Sequence, residues 1–251
     1  MKILFLGYKD CRLVDFLKIH NEVVVVQDRL SLKQIQKIDP SLIISYGYTH
    51  IIKKDVINFF KNRIINLHIS FLPWNRGVSP NFWSIIDDTP KGVTIHFIDE
   101  GIDTGEILFQ KQLEIDDDYF LKDSYSKLRW EIEEMFLENW DKIASFTFDP
   151  IKQDKQEGSY HSKQETKKLM KKLNFINNWD WTEKELRIRN DEEIINEIQA
   201  IREKNNTHWM DIVKLAFRIS PVESRDIFKK IKFCDEKINK LLKELAENDK
   251  N

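Results

Sequence analysis

The hydrophobic pattern of the chain alternates between two periods. ILFL at 3–6, VVVV at 23–26, LIIS at 42–45 and RIINLH at 63–68 are short, nearly continuous apolar runs, as expected of strands buried on both faces of a parallel sheet. Between them, Leu13, Phe16 and Leu17, then Leu32, Ile35 and Ile38 after Ser31, fall at helical spacing, and 53–60 also reads as a helix. This alternation predicts an α/β fold with a Rossmann-like, mainly parallel sheet flanked by helices. Ligands of such sheets bind beyond the carboxyl ends of the strands. The segments of interest are therefore 7–9, 46–50 and the stretch after His68.

Past His68 the pattern changes. Residues 69–80 contain Pro73, Gly77 and Pro80 and read as a loop, and PNFWSII then predicts a helix with Pro80 in its first turn. VTIHF at 93–97 alternates as a strand, 99–105 is a turn, and ILFQKQL is the returning strand. One amphipathic helix is expected over 124–146, with Tyr125, Leu128, Ile132, Met135, Phe136 and Trp140 on its apolar face. Beyond Pro150 the chain turns polar and charged, with helical segments at 184–204 and 223–247. Thr182 and Glu185 have the spacing of a capping box. The expected organisation is one domain over 1–150, followed by a linker and a smaller, mostly helical part over 151–251.

Composition narrows the classes. The charge is high but balanced, with 40 Lys and Arg against 42 Asp and Glu, for a net −2. Residues 151–251 hold 22 basic and 19 acidic side chains, or +3, against −5 for 1–150. That asymmetry is too mild for a nucleic-acid surface, so no nucleic-acid partner is expected. Cys11 and Cys234 lie far apart and offer neither a disulfide framework nor a zinc site. The apolar run after Met1 is too short for a signal peptide, and no stretch approaches 18 apolar residues. The expectation is a soluble, reduced, cytoplasmic protein with no membrane partner.

The dinucleotide fingerprint GxGxxG is missing after the first strand, as are the phosphate loop, HExxH and GxSxG. What remains is Asn66 and His68, alternate residues at the end of one strand that project on the same side, and Asp103 in a GIDTG turn. An amide beside an imidazole combines a fixed donor with a group that exchanges protons near neutral pH. With no Ser or Cys nucleophile nearby, such a set suits direct attack by a substrate amine on an activated acyl carbon. Taken singly, a His after a strand or an Asp in a Gly-flanked turn is usually structural.

The surrounding segments change that weighting. NLHISFLPWNRG at 66–77, followed by GVTIHFIDEGIDTGEILFQ at 92–110, resembles the folate-dependent formyltransferase family. Its pattern of Asn-x-His, a Ser-x-Leu-Pro loop, GVTxH and an Asp in a D-x-G turn occurs here in order, with Asp103 35 residues after His68. The resemblance covers the first 110–120 residues. It implies a catalytic set of Asn66, His68 and Asp103, and 10-formyltetrahydrofolate as formyl donor, with no metal. In that reading Asn66 and a protonated His68 donate to the oxyanion, while Asp103 sets the charge on His68 and relays the amine proton to the departing folate nitrogen. The folate would lie between Tyr48, His50, Ile51 and Ile52 on one side and Asp99, Gly101 and Ile102 on the other.

The loop PWNRGVSPNFWS is most similar to the branch that formylates amino sugars carried on a nucleotide diphosphate. That similarity implies dTDP-4-amino-4,6-dideoxyglucose, or its 3-amino isomer, as acceptor, with the product entering surface polysaccharide (O-antigen) synthesis, and a homodimer. The substrate contacts implied are Trp74 as a stacking face, Asn75 and Asn81 as amides, Arg76 and Lys9 on phosphate, Tyr8 beside them, and Tyr160 on the base. Trp83 is balanced between this role and helix core. Methionyl-tRNA formylation is the competing activity, although that branch is longer and has a basic C-terminal barrel. A folate- or nucleotide-binding module without turnover is the alternative from another class. The intact set of three polar residues argues against it.

Overall fold

A computed structural model describes residues 1–154, 157–175 and 179–247; the remainder of the expected linker and helical tail lies outside them. The chain forms two compact units, 1–191 and 192–251. The first is built on a six-stranded sheet. Strands β1 (Lys2–Gly7), β2 (Glu22–Val26), β3 (Leu42–Tyr46) and β4 (Ile64–His68) run parallel, and β6 (Gly92–Phe97) and β7 (Ile107–Gln112) run antiparallel, in the order β2-β1-β3-β4-β6-β7. The short β5 (Arg76–Gly77) pairs with β8 (Tyr160–His161) in a separate ladder.

The apolar runs follow from the layers. In β1, Ile3 and Phe5 pack beneath α1 (Arg12–Lys18), α5 (Leu121–Glu138) and α6 (Trp140–Ser145), while Leu4 and Leu6 pack on the opposite face with Ile35 of α2 (Leu32–Ile38) and Val56 and Ile57 of α3 (Lys54–Phe59). A strand covered on both faces has no polar side, and each such Leu or Ile contributes about 1.5–3 kcal/mol by leaving water. Strands β4 and β6 differ. Ile65, Leu67, Val93 and Ile95 join the first core, but Asn66, His68, Thr94 and His96 occupy the other face, with Asn66 opposite His96 and His68 opposite Thr94. Polar residues enter the alternation where helical cover gives way to the candidate site. Gly7 closes β1 at φ +121°, where a Cβ would lie 1.9 Å from the Tyr46 carbonyl oxygen, so the turn into α1 requires glycine.

Two expectations are corrected. The helix expected over 124–146 starts at Leu121 and breaks at Asn139 between α5 and α6. Asn139 Nδ2 donates to the Met135 carbonyl oxygen at 2.8 Å, a side-chain bond that competes with the helical ladder. The first unit also runs to Asp191 rather than ending near 150. The stretch expected as linker supplies β8 and α7 (Lys163–Lys172). Leu173, Phe175 and Leu186 then pack with Phe82, Trp83 and Ile85 of α4 (Pro80–Ile86) and with Leu121. The capping box forms: Glu185 N donates to Thr182 Oγ1 at 3.2 Å and Thr182 N to Glu185 Oε2 at 2.7 Å. It opens α8 (Glu183–Ile219), which α9 (Pro221–Glu247) follows. Among the described residues, no helix is long and apolar enough to cross a membrane.

Candidate active site

Asn66, His68 and Asp103 converge at one end of β4, joined by His96. The Asp103 carboxylate accepts from the Gly77 N–H at 2.9 Å and from Asn66 Nδ2 at 3.3 Å. It also lies 3.8 Å from His68 Nδ1 and 3.5 Å from His96 Nε2. Asp103 has a left-handed backbone, φ +53°, a region that Asp and Asn tolerate better than most residues. Gln153 holds this turn by donating to the carbonyl oxygens of Asp103 and Gly105 at 2.9 and 2.7 Å. His96 Nδ1 donates to the Phe97 carbonyl oxygen at 2.7 Å, so Nε2 accepts from Asn66 Nδ2 at 3.2 Å. The amide nitrogen of Asn66 is thereby fixed toward the cavity floor. The sequence gives no role to His96 of the GVTIH segment; its signal is its place on the same sheet face as Asn66.

Both ring nitrogens of His68 approach oxygens, Nδ1 that of Asp103 and Nε2 the Asn75 carbonyl oxygen at 3.3 Å. Burial nevertheless outweighs these contacts and lowers the His68 pKa below its ordinary value. The resting His68 is therefore neutral, so the protonated His68 expected to donate to the oxyanion would gain its proton during the reaction. For Asp103, burial acts in the raising direction, but attraction to His68 and His96 in their protonated forms, together with the Gly77 N–H, outweighs it and holds the carboxylate well below its usual range. The site is therefore an ionised carboxylate beside a neutral imidazole. Nuclear magnetic resonance titration, with the resonance assigned by its loss in His68→Asn, should place protonation of His68 below pH 6.5. A midpoint above that value would contradict this electrostatic picture.

These groups form the floor of a cavity of about 490 Å³. All seven residues expected to contact folate line it: Tyr48, His50, Ile51 and Ile52 on one side, Asp99, Gly101 and Ile102 on the other. The Asp99 side is a tight turn, with Thr104 Oγ1 and the Gly101 N–H donating to Asp99 Oδ1 at 2.6 and 3.1 Å. Tyr8 and Tyr160 also line the cavity, whereas Lys9, Trp74, Asn75, Arg76 and Asn81 do not. Lys9 is exposed and 4.0 Å from Asp10. Trp74 and Arg76 are half-buried, and Arg76 Nε donates to the Ser159 carbonyl oxygen at 3.4 Å.

Asn75 and Asn81 are scaffold residues. The Asn75 amide bonds Thr89 and Ser159, which aims its carbonyl oxygen at His68, and buried Asn81 donates to Ser124 Oγ at 2.9 Å. Trp83 is core: its ring stacks on His161 at 3.8 Å and its Nε1 donates to Thr166 Oγ1 at 2.9 Å.

The sequence reading missed the wall beside β1 and β3. Arg129 lies over the Tyr8 ring at 4.4 Å and donates to Tyr46 Oη at 3.3 Å. Tyr46 Oη in turn donates to Glu133 Oε1 at 2.8 Å. Tyr125 and Tyr8 share a 3.0 Å hydrogen bond. Burial and the Tyr8 bond push Tyr125 up to about 12, and burial also raises Tyr46, so both phenols remain protonated donors near neutral pH. Arg129 and Tyr125 sit one turn apart on α5, on the face read as helix core. Among the described residues, no cluster of His, Cys, Asp and Glu could hold a metal ion.

The family described as "Formyl transferase" matches residues 21–139. The formyltransferase PseJ from Anoxybacillus kamchatkensis, solved in complex with UDP-4,6-dideoxy-4-formamido-L-AltNAc and tetrahydrofolate, is 42% identical. The match covers 74% of this chain and 97% of that one, with a TM-score of 0.69. A 4-N formyltransferase from Francisella tularensis is 26% identical over 67% of this chain and 78% of that one, with a TM-score of 0.58. Among curated relatives, the methionyl-tRNA formyltransferase of Clostridium tetani is 30% identical over 168 residues, 66% of this chain and 54% of that protein. The chain spans about half the length of the curated relatives it matches. With its sheet order, its Asn66–His68–Asp103 floor and its near-complete coverage of a solved relative, the chain belongs to the formyl transferase family.

Proposed function

We propose that the protein transfers a formyl group from 10-formyltetrahydrofolate to the amine of a nucleotide-linked 4-amino-4,6-dideoxy sugar. The observation that carries the reading is the ionised Asp103 within reach of Asn66, His68 and His96 at the floor of an open cavity. The segments at 48–52 and 99–102 are placed to hold the folate. The acceptor amine attacks the formyl carbon, forming a carbon–nitrogen bond and an oxyanion. Asn66 Nδ2 donates to that oxyanion, giving up its bond to Asp103, the longest hydrogen bond it makes. Neutral His68 takes the proton that the attacking nitrogen sheds, and the Asp103 carboxylate stabilises the imidazolium. As the bond from the formyl carbon to N10 breaks, His68 returns the proton to N10. Atoms balance, and no covalent enzyme intermediate is needed.

The proposal for the diphosphate falls on Arg129, with Lys163 also at the cavity rim, in place of the Lys9 and Arg76 expected from the sequence. Arg129→Ala should raise KM for the sugar nucleotide roughly 10- to 100-fold, the equivalent of one or two charge-assisted hydrogen bonds. KM for folate should stay unchanged and Arg129→Lys should recover part of the loss. An equal rise in both KM values would show a structural defect instead.

Curated relatives favour methionyl-tRNA as the acceptor, and the solved relative at 42% identity favours a UDP-linked 4-amino sugar over the dTDP-linked one expected from the sequence. The deciding experiment supplies 10-formyltetrahydrofolate with UDP- and dTDP-linked 4-amino-4,6-dideoxy sugars, a dTDP-3-amino sugar and charged initiator tRNA in parallel. Turnover with a 4-amino sugar nucleotide supports the proposal, and turnover with the tRNA alone overturns it.

A further inference from the structure

The helices of residues 192–251 expose a regularly spaced, mostly apolar stripe, interrupted in α8 by Asn205 and His208. In α8, Ile194, Ile198, Ile201, Asn205, His208, Ile212, Leu215 and Ile219 follow one another at alternating steps of four and three. In α9, Ile227, Ile231, Cys234, Ile238 and Leu241 do the same. This is the 3.5-residue period of a coiled-coil seam rather than the 3.6 of a surface helix. The apolar members in α8 are 45–75% exposed, too open for a stripe already packed. Ser220 and Pro221 separate the helices, Phe217 meets Phe228 across that bend at 5.5 Å, and neither stripe is laid along the other among the described residues. The solved relative is matched over 97% of its length by 74% of this chain, so a formyl transferase unit can be nearly complete without a stretch the size of this one.

We propose that α8 and α9 pair in parallel with the same helices of a second copy of this chain, as a two-stranded coiled coil. With the seam written as positions a and d, Ile198, Asn205, Ile212 and Ile219 occupy a. A single Asn at a is the device that fixes register and a two-stranded state at some cost in stability. Charge at the flanking positions agrees. Parallel pairing sets Glu197 against Arg202 of the second copy, and Lys230 against Asp235 of the second copy, opposite signs in both cases. Antiparallel pairing of α8 keeps opposite signs, Glu197 against Arg218 of the second copy, but in α9 it sets Lys230 against Lys237 of the second copy, so the charges of α9 select the parallel arrangement.

The test uses the full chain. Sedimentation equilibrium at tens of micromolar should give twice the chain mass, and Ile212→Asp should weaken association at least 100-fold. Asn205→Ile should keep its helicity and replace the single dimer with larger assemblies. Parallel pairing also brings Cys234, exposed at a d position, beside its mate. Oxidation of the two thiols by diamide should therefore give a disulfide-linked dimer that Cys234→Ser abolishes, since Cys11 is buried. A monomer at that concentration, a dimer indifferent to Ile212→Asp, or binding to anionic vesicles by a chain that stays monomeric would each overturn the proposal.

Discussion

Asp103→Asn should lower kcat for formyl transfer roughly 1,000-fold, the scale of a positioned proton-transfer group, while changing folate affinity by no more than a few-fold. The substitution removes the charge and one of two acceptors, since Oδ2 takes the Gly77 N–H and Oδ1 the Asn66 amide, and the new side chain keeps only the first. Asn tolerates the left-handed backbone at φ +53°, and its side-chain oxygen can still accept from the Gly77 N–H, now 2.9 Å away. Lost is the carboxylate 3.8 Å from His68 Nδ1, which offsets the burial that disfavours imidazolium. A 1,000-fold loss corresponds to about 4 kcal/mol of transition-state stabilisation. Steady-state kinetics with saturating folate, alongside folate titration by fluorescence, checks both halves. Retention of kcat within tenfold would remove Asp103 from the proposed chemistry. A parallel loss of folate binding would instead mean that the substitution had disturbed the 99–105 turn.

Much of this arrangement could be read from the chain. ILFL, VVVV and LIIS have no polar face because helices cover both sides of β1 and β3, so the parallel part of the sheet was legible from hydrophobicity alone. Asn66 and His68 stood out because a buried strand with two polar residues at alternate positions needs a reason. The substrate side was less legible. Asn75 and Asn81 have the right chemistry for a ligand, yet the Asn75 amide is satisfied by Thr89 and Ser159 and the Asn81 Nδ2 is taken by Ser124, partners distant in sequence. Arg129 and Tyr125 looked like ordinary helix residues, since only the packing of α5 against β1 and β3 places them beside Tyr8 and Tyr46. The stretch beyond residue 150 read as a linker because charged sequence hides sparse anchors. Leu173, Phe175, Trp181 and Leu186 pack it onto α4.

A further anchor of this stretch is ionic, and breaking it should cost the most stability. Glu183, with no exposed surface, pairs with the almost equally buried Lys91. Burial raises the Glu183 pKa and Lys91 only partly offsets it, so the intact pair adds little net stability. Removing one partner is a different matter, because the other charge stays buried and uncompensated, at about 3–5 kcal/mol. Glu183→Ala should lose that amount in urea unfolding, and for a chain of this size its midpoint temperature should fall by roughly 10 °C. The double variant Glu183→Leu with Lys91→Met should recover most of it, since an apolar pair has no desolvation cost to repay. The damage would begin where Glu183 N donates to the Tyr119 carbonyl oxygen at 3.1 Å and Leu121 N to that of Trp181 at 2.8 Å, bonds that fasten the start of α8 to the start of α5. Neither charged residue lines the cavity. Below the lowered transition, turnover per folded molecule should therefore match the parent protein, the reverse of the Asp103→Asn result. A Glu183→Ala protein as stable as the parent would mean that Lys91 escapes to solvent when its partner is removed.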